Sequence, residues 1–232
     1  MNKILILQSN YIPWKGYFDL IETSDIFVIY DDMQYTKGDW RNRNMIKTDK
    51  GLKWLTIPVE KTSLSQKINE TKVVQNKWNN SHWETLKQNY KHAKNFVDVK
   101  DFVEDLYANA TQEYLTDVNI YFMDHLCRFL DIDFNIKSSK EFYLVENRTQ
   151  RLVDICTQLN GNEYISGPAA KAYMEENIFN EAGINLHYFD YSGYPEYSQL
   201  YPPFEHGVTI LDLIFNEGTN AKNFLKTKSL QK

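Results

Sequence analysis

The 232 residues are enough for one large domain with a helical appendage and a substantial core, whereas two independent domains would be cramped. A net charge of −5, with acidic and basic residues interspersed, supplies no basic stripe for a phosphate backbone and excludes general nucleic-acid binding from the expectations. Aromatic residues reach 15%, with 16 Tyr and 13 Phe, an excess that serves either core packing or stacking on a sugar or base.

Lys3 to Leu7 is a compact Ile/Leu run, the pattern of a strand buried on both faces of a parallel sheet. A polar-aromatic loop from Gln8 to Trp14 follows. Apolar positions between Gly16 and Thr23 then predict a short helix, and Ile26 to Tyr30 a second buried strand. This is a βαβ unit, in which ligands bind at the carboxyl ends of the strands. Arg43 to Lys47 and Leu52 to Val59 flank Thr48-Asp49-Lys50-Gly51 and predict a β-hairpin. Amphipathic helices are expected at 78–94, 97–108 and 113–130, a helical insertion over about 78–130. Phe134 to Lys137 reads as a strand, and a helix capped by Thr149 and closed by Gly161 comes next.

The βα alternation then returns: strand Glu163 to Ser166, helix Pro168 to Met174 and strand Asn185 to Phe189. A proline-punctuated loop from Tyr194 to Phe204 leads into a helix at 208–215. The expected fold is α/β, a Rossmann-like parallel sheet with a β-hairpin and a helical insertion, in a single domain over 1–218. Residues 219–232 are expected to be a poorly ordered tail. Cys127 and Cys156 lie in apolar helical patterns without metal-ligand spacing, as in a reducing compartment. The short apolar start falls well below a signal or membrane segment, so the expected location is the cytoplasm, with no membrane insertion.

Five constellations are candidates for chemistry. The strand, loop and helix at the start resemble nucleotidylyltransferases, whose corresponding loop reads His-x-Gly-His. Gly16 matches, while Trp14 and Tyr17 stand in place of the histidines that would contact phosphate, which shifts Gln8, Asn10, Tyr11, Trp14, Gly16 and Tyr17 from catalysis towards binding. Asp31, Asp32, Gln34 and Lys37 follow the second strand, with Arg41 and Arg43 beyond them as candidates for bidentate capture of phosphate or carboxylate. In the alternative reading the pair belongs to a solvated loop or hairpin edge, where only one arginine need face the site. His82, at a helix start, is placed as a neutral general base or hydrogen-bond donor to a sugar hydroxyl, or as a capping or packing histidine. Ser166-Gly167-Pro168 is a strand end running into a helix start, an arrangement that offers backbone N–H groups to an anion or forms an ordinary βα turn. His206 is a candidate base or a loop cap, with no nucleophile motif beside it.

The segments Ile6 to Phe18, Tyr35 to Arg43, Tyr164 to Pro168 and Tyr201 to His206 together closely resemble the WbqC-like protein family, over nearly the whole chain. That family is associated with bacterial surface-polysaccharide gene clusters. The resemblance implies transfer of an acyl or aminoacyl group to the amine of a nucleotide-activated amino sugar. On that reading Arg41, Arg43 and Ser166-Gly167 hold phosphate, Trp14 and Tyr11 stack on sugar or base, and Asp32 or His82 accepts the amine proton. ATP, with magnesium at Asp31 or Asp32, enters if the donor is activated on the same protein. A glycosyltransferase-like enzyme and a non-catalytic nucleotide-sugar-binding protein are the alternatives.

Overall fold

The computed structural model describes residues 2–145 and 147–229. In chain order the N-terminal run forms β1 (Asn2–Leu7), α1 (Lys15–Thr23) and β2 (Ile26–Ile29), and the hairpin follows as β3 (Arg43–Thr48) and β4 (Gly51–Thr56). The helical stretch contains α2 (Trp78–Tyr90), α3 (Phe96–Ala108) and α4 (Leu115–Phe129). Then come β5 (Ile136–Ser138), α5 (Arg148–Gln158), β6 (Gly161–Ser166), α6 (Glu176–Glu181), β7 (Asn185–Tyr188), α7 (Ile210–Glu217) and α8 (Lys226–Ser229).

Five strands form one parallel sheet in the order β5-β2-β1-β6-β7, and β3 and β4 form a separate antiparallel pair. The apolar runs of β1 and β2 are buried on both faces because successive side chains point to opposite sides of a strand. Leu5, Phe27, Ile29 and Ile165 enter a large core with Phe18 and Ile21 of α1, and this core continues through α2–α4 and α7. Ile4, Ile6, Val28 and Tyr164 enter a second core with Leu152, Ile155 and Cys156 of α5 and Phe179 of α6. The crossover from β1 to β2 therefore packs on one face and that from β6 to β7 on the other. The winding reverses between β1 and β6, which splays their connections and opens a crevice beyond their carboxyl ends.

Several local readings change. The cap of α5 is Asn147, whose Oδ1 accepts from the Gln150 N–H at 2.8 Å. Thr149 lies inside the helix, buried, with its hydroxyl accepting from the Glu175 N–H at 3.4 Å. After α5 the left-handed position (φ +52°) belongs to Asn160, a residue whose short polar side chain tolerates it, and Gly161 opens β6. Glycine is needed there because a Cβ would meet Ile4 Cγ1 at 2.4 Å, across the tightest point of the β1–β6 pairing. The expected helix at 168–174 is a 3-10 turn, Pro168–Ala172, and the six-residue α6 has too few turns to show a period in the sequence. Residues beyond Gly218, expected to be loose, continue as a 3-10 helix and α8 with Ala221 and Leu225 fully buried. The backbone N–H groups of Lys226 and Thr227 donate to Asp19 at 2.9 Å each. The expectation for 230–232 lies outside the described residues. Among the described residues no helix is long and apolar enough to cross a membrane.

Candidate functional site

The crevice at the reversal point has a volume of about 810 Å³ and is bounded by Leu7 and Gln8 after β1, by Ser166 and Gly167 after β6, and by Arg41 and Arg148. A second groove of about 670 Å³ lies beside Ile29 and β5. Two of its rim lysines are held in ion pairs, Lys72 with Glu113 and Lys137 with Glu141. The crevice is the stronger candidate because it stands at the topological switch point and gathers cations from two distant segments with no carboxylate on its lining among the described residues.

Its first wall is the loop after β1, held from behind. Asp31, buried just beyond β2, accepts from the Ser9 N–H at 2.8 Å, the Ser9 hydroxyl at 2.6 Å and the Thr116 hydroxyl at 2.7 Å. Burial raises its carboxyl above the ordinary aspartate range, although these three donors oppose the shift. Asn119 of α4, also buried, donates to the Ser9 hydroxyl and to the Arg41 carbonyl, at 2.9 Å each, and so ties the loop to the segment that carries the arginine. The Arg41 guanidinium donates to Asn10 Oδ1 and to the Ser9 carbonyl at 3.3 Å, with Asp39 at 3.6 Å. Its Nε–H is buried without a protein acceptor. An anion in the crevice would supply one.

Trp14 forms the adjacent wall, packed at 5.1 Å against Tyr191 and at 5.5 Å against Tyr194. Gly16 exists for this indole, since a Cβ at that position would lie 2.3 Å from Trp14 Cζ2. Tyr17 lines the crevice and donates its hydroxyl to the Gln8 carbonyl at 2.8 Å. The fixed loop, the buried polar anchor and the aromatic walls form a preorganised binding surface.

A model of the WbqC-like protein family matches residues 8–224. The chain belongs to that family. It is 44% identical over 227 residues to the uncharacterized protein Rv1507c of Mycobacterium tuberculosis, a match covering 97% of this chain and 98% of the other. No solved structure matches the chain.

In this WbqC-like chain the crevice brings together Gln8, Asn10, Trp14, Tyr17, Arg41, Ser166 and Gly167 of the residues read from the sequence, with Gly16 behind Trp14. Others lie elsewhere. Tyr11 is 0% exposed and stacks on nothing outside the protein, because its ring is enclosed by Trp78, His82 and Phe122. Asp32 forms an ion pair with Arg151 and accepts from the Ser139 hydroxyl at 2.7 Å, which engages both of its carboxylate oxygens outside the crevice lining. Asp31 and Asp32 are thus both occupied by protein donors and do not fit as magnesium ligands. Gln34 is exposed and donates to the Leu64 carbonyl at 2.6 Å, and Lys37 is exposed. Arg43 does not line the crevice: its guanidinium lies 4.0 Å over the Trp54 ring. His206 packs against Phe204 at 4.6 Å, away from the lining, and burial and nearby Lys15 lower its pKa.

His82 is buried, and burial pushes its imidazole down to about 4. The Thr56 carbonyl at 3.2 Å can only accept, so Nε2 carries the proton and Nδ1 accepts from the Tyr11 hydroxyl at 2.8 Å, which in turn accepts from Tyr107 at 2.7 Å. This relay supports the loop from below. Between its ordinary value of 6.5 and about 4 the unfolded chain binds a proton that the folded chain does not. The stability His82 contributes is therefore complete above pH 6.5 and is lost as pH falls through that window. Urea titrations at pH 7 and 4.5 should show the loss, and His82→Gln should reduce it. An equal pH dependence in both proteins would contradict this assignment.

Sequence reasoning missed Arg148, Tyr30 and Tyr173, which complete the crevice. Arg148 lies at the start of α5, 5.5 Å over the Tyr173 ring, in a segment that carries no motif. It also missed Lys15, 3% exposed at the first turn of α1, which donates to the Pro195 carbonyl at 2.9 Å beneath the rings of Tyr194 and Tyr197. Burial holds its ammonium down at about 8, and it fastens the proline loop to α1.

Proposed function

We propose that the crevice binds a nucleotide-activated amino sugar and that the protein transfers an acyl or aminoacyl group to the sugar amine, in the cytoplasm, for bacterial surface-polysaccharide synthesis. The observation that carries the reading is the placement of Arg41 and Arg148 on one aromatic-walled crevice at the sheet's switch point. Arginine forks suit a diphosphate, and the walls of Trp14, Tyr17, Tyr30 and Tyr173 suit the flat faces of a sugar or base. The backbone at Gly167, leading into the 3-10 turn, adds polar groups to the opposite wall. In this scheme the site accelerates transfer by holding the neutral amine against the carbonyl of an activated acyl donor: the C–N bond forms as the donor's bond to its activating group breaks, and the amine proton leaves to solvent or with that departing group, so that proximity replaces a dedicated base.

The lining itself, without a carboxylate or imidazole among the described residues, favours a second reading: nucleotide-sugar binding without turnover. Incubation with ATP, glycine and a panel of nucleotide-linked amino sugars, followed by mass spectrometry, separates the two. A product heavier by the acyl or aminoacyl group supports transfer. Binding with no mass-shifted product supports the second reading, and no binding by any member of the panel contradicts both.

A further inference from the structure

At the mouth of the crevice two indoles face solvent together. Trp40 and Trp54 are each 40% exposed, with ring centroids 5.3 Å apart and planes inclined at 48°. Two adjoining indoles left 40% exposed form a contiguous apolar patch, the kind of surface at which ligands bind. Both are held in place. The Trp40 carbonyl accepts from the Tyr11 N–H at 3.1 Å, which ties it to the loop after β1, and Trp54 stands on β4 opposite Met45 in the hairpin. Arg43 covers Trp54 with its guanidinium at 4.0 Å. The positive charge is therefore spent on supporting the ring, a cation–π arrangement that leaves Arg43 outside the crevice.

Trp40 connects this pair to the crevice, because it contributes to the lining and immediately precedes Arg41. We infer that Trp40 and Trp54 form the nucleobase platform of the site, taking the heterocycle of a nucleoside diphosphate whose phosphates lie on Arg41. The inference rests on the proposed nucleotide-sugar reading and adds the direction in which the ligand lies. The base is outward on the hairpin, the diphosphate reaches from Arg41 to Arg148, and the sugar lies inward towards Tyr30 and Tyr173. Stacking on an indole is tolerant of base identity, since every base offers a π-face, so the platform provides affinity for nucleotides over bare anions.

Calorimetry with UDP, GDP and inorganic pyrophosphate on the wild type and on Trp40→Ala, Trp40→Phe, Trp54→Ala and Arg41→Ala tests it. The expected result is that Trp40→Ala weakens UDP and GDP about tenfold or more while pyrophosphate binding is unchanged, which also shows that the variant is folded. Trp40→Phe should restore most of the loss, Trp54→Ala should show a smaller one, and Arg41→Ala should weaken all three probes. Wild-type UDP affinity in both alanine variants of the pair, with Arg41→Ala still impaired, would overturn the platform and leave the crevice reading standing. Failure of the wild type to bind any of the three would remove both.

Discussion

Asp31→Ala is expected to lower the unfolding free energy by about 3 kcal/mol, because it leaves buried donors of Ser9 and Thr116 without their acceptor. Each unsatisfied buried donor costs about 1–3 kcal/mol, and the costs overlap because Ser9 and Asn119 can re-pair in part. Asp31→Asn keeps one acceptor oxygen and should lose less than the alanine variant. The measurement is urea denaturation near neutral pH, where both variants should shift the midpoint with an unchanged slope. A loss below about 1 kcal/mol for Asp31→Ala would show that the carboxylate is not the anchor of the loop. Because Ser9 sits between Gln8 and Asn10, the same variant should also weaken any ligand that the crevice holds.

Much of the sheet was legible because β1 and β2 are continuous apolar runs joined by a short helix, a pattern with few solutions. The hairpin was legible from its turn, Thr48-Asp49-Lys50-Gly51, with Gly51 at a φ of +100° that other residues rarely adopt. What the sequence could not display was the partner of β1 on its other side. β6 begins at Gly161, and no local signal says that a strand so distant inserts beside the first rather than beside the second. The switch point, and with it the place of the crevice, depends on that pairing.

Of the residues read from the sequence the crevice gathers some and leaves others elsewhere, for reasons that differ from residue to residue. Tyr11, Trp14 and Tyr17 lie within seven residues and look alike in a sequence, yet the first is sealed in the core while the other two line the crevice. Aromatic side chains satisfy either environment, so residue type alone does not separate them. Asp32 was attractive because it is titratable at the expected ligand edge, and His82 because a helix start favours a neutral imidazole. Arg151 neutralises the first and burial holds the second neutral. Arg41 and Arg43 are separated by one residue, yet only Arg41 lines the crevice, because Arg41 lies in the turn before β3 while Arg43 opens the strand and its guanidinium covers Trp54. Arg148 escaped notice because its contribution comes from tertiary placement alone.

Arg41 and Arg148 carry the largest expected effect on binding. A charge-assisted hydrogen bond to phosphate contributes about 1.5–3 kcal/mol, so alanine at either position should weaken a nucleotide sugar roughly tenfold to hundredfold. Arg41→Lys should recover only part of the loss, because an ammonium cannot reproduce the fork geometry. The affinity of the wild type should fall as salt is raised, and the slope should be shallower in the variants. The most direct test is calorimetric titration of UDP-glucosamine into the wild type, Arg41→Ala, Arg148→Ala and the double variant. Saturable binding by the wild type, weakened in each single variant and lost in the double, is the predicted result. Wild-type affinity in the double variant, or no binding by the wild type, would contradict the assignment of this crevice to a nucleotide sugar.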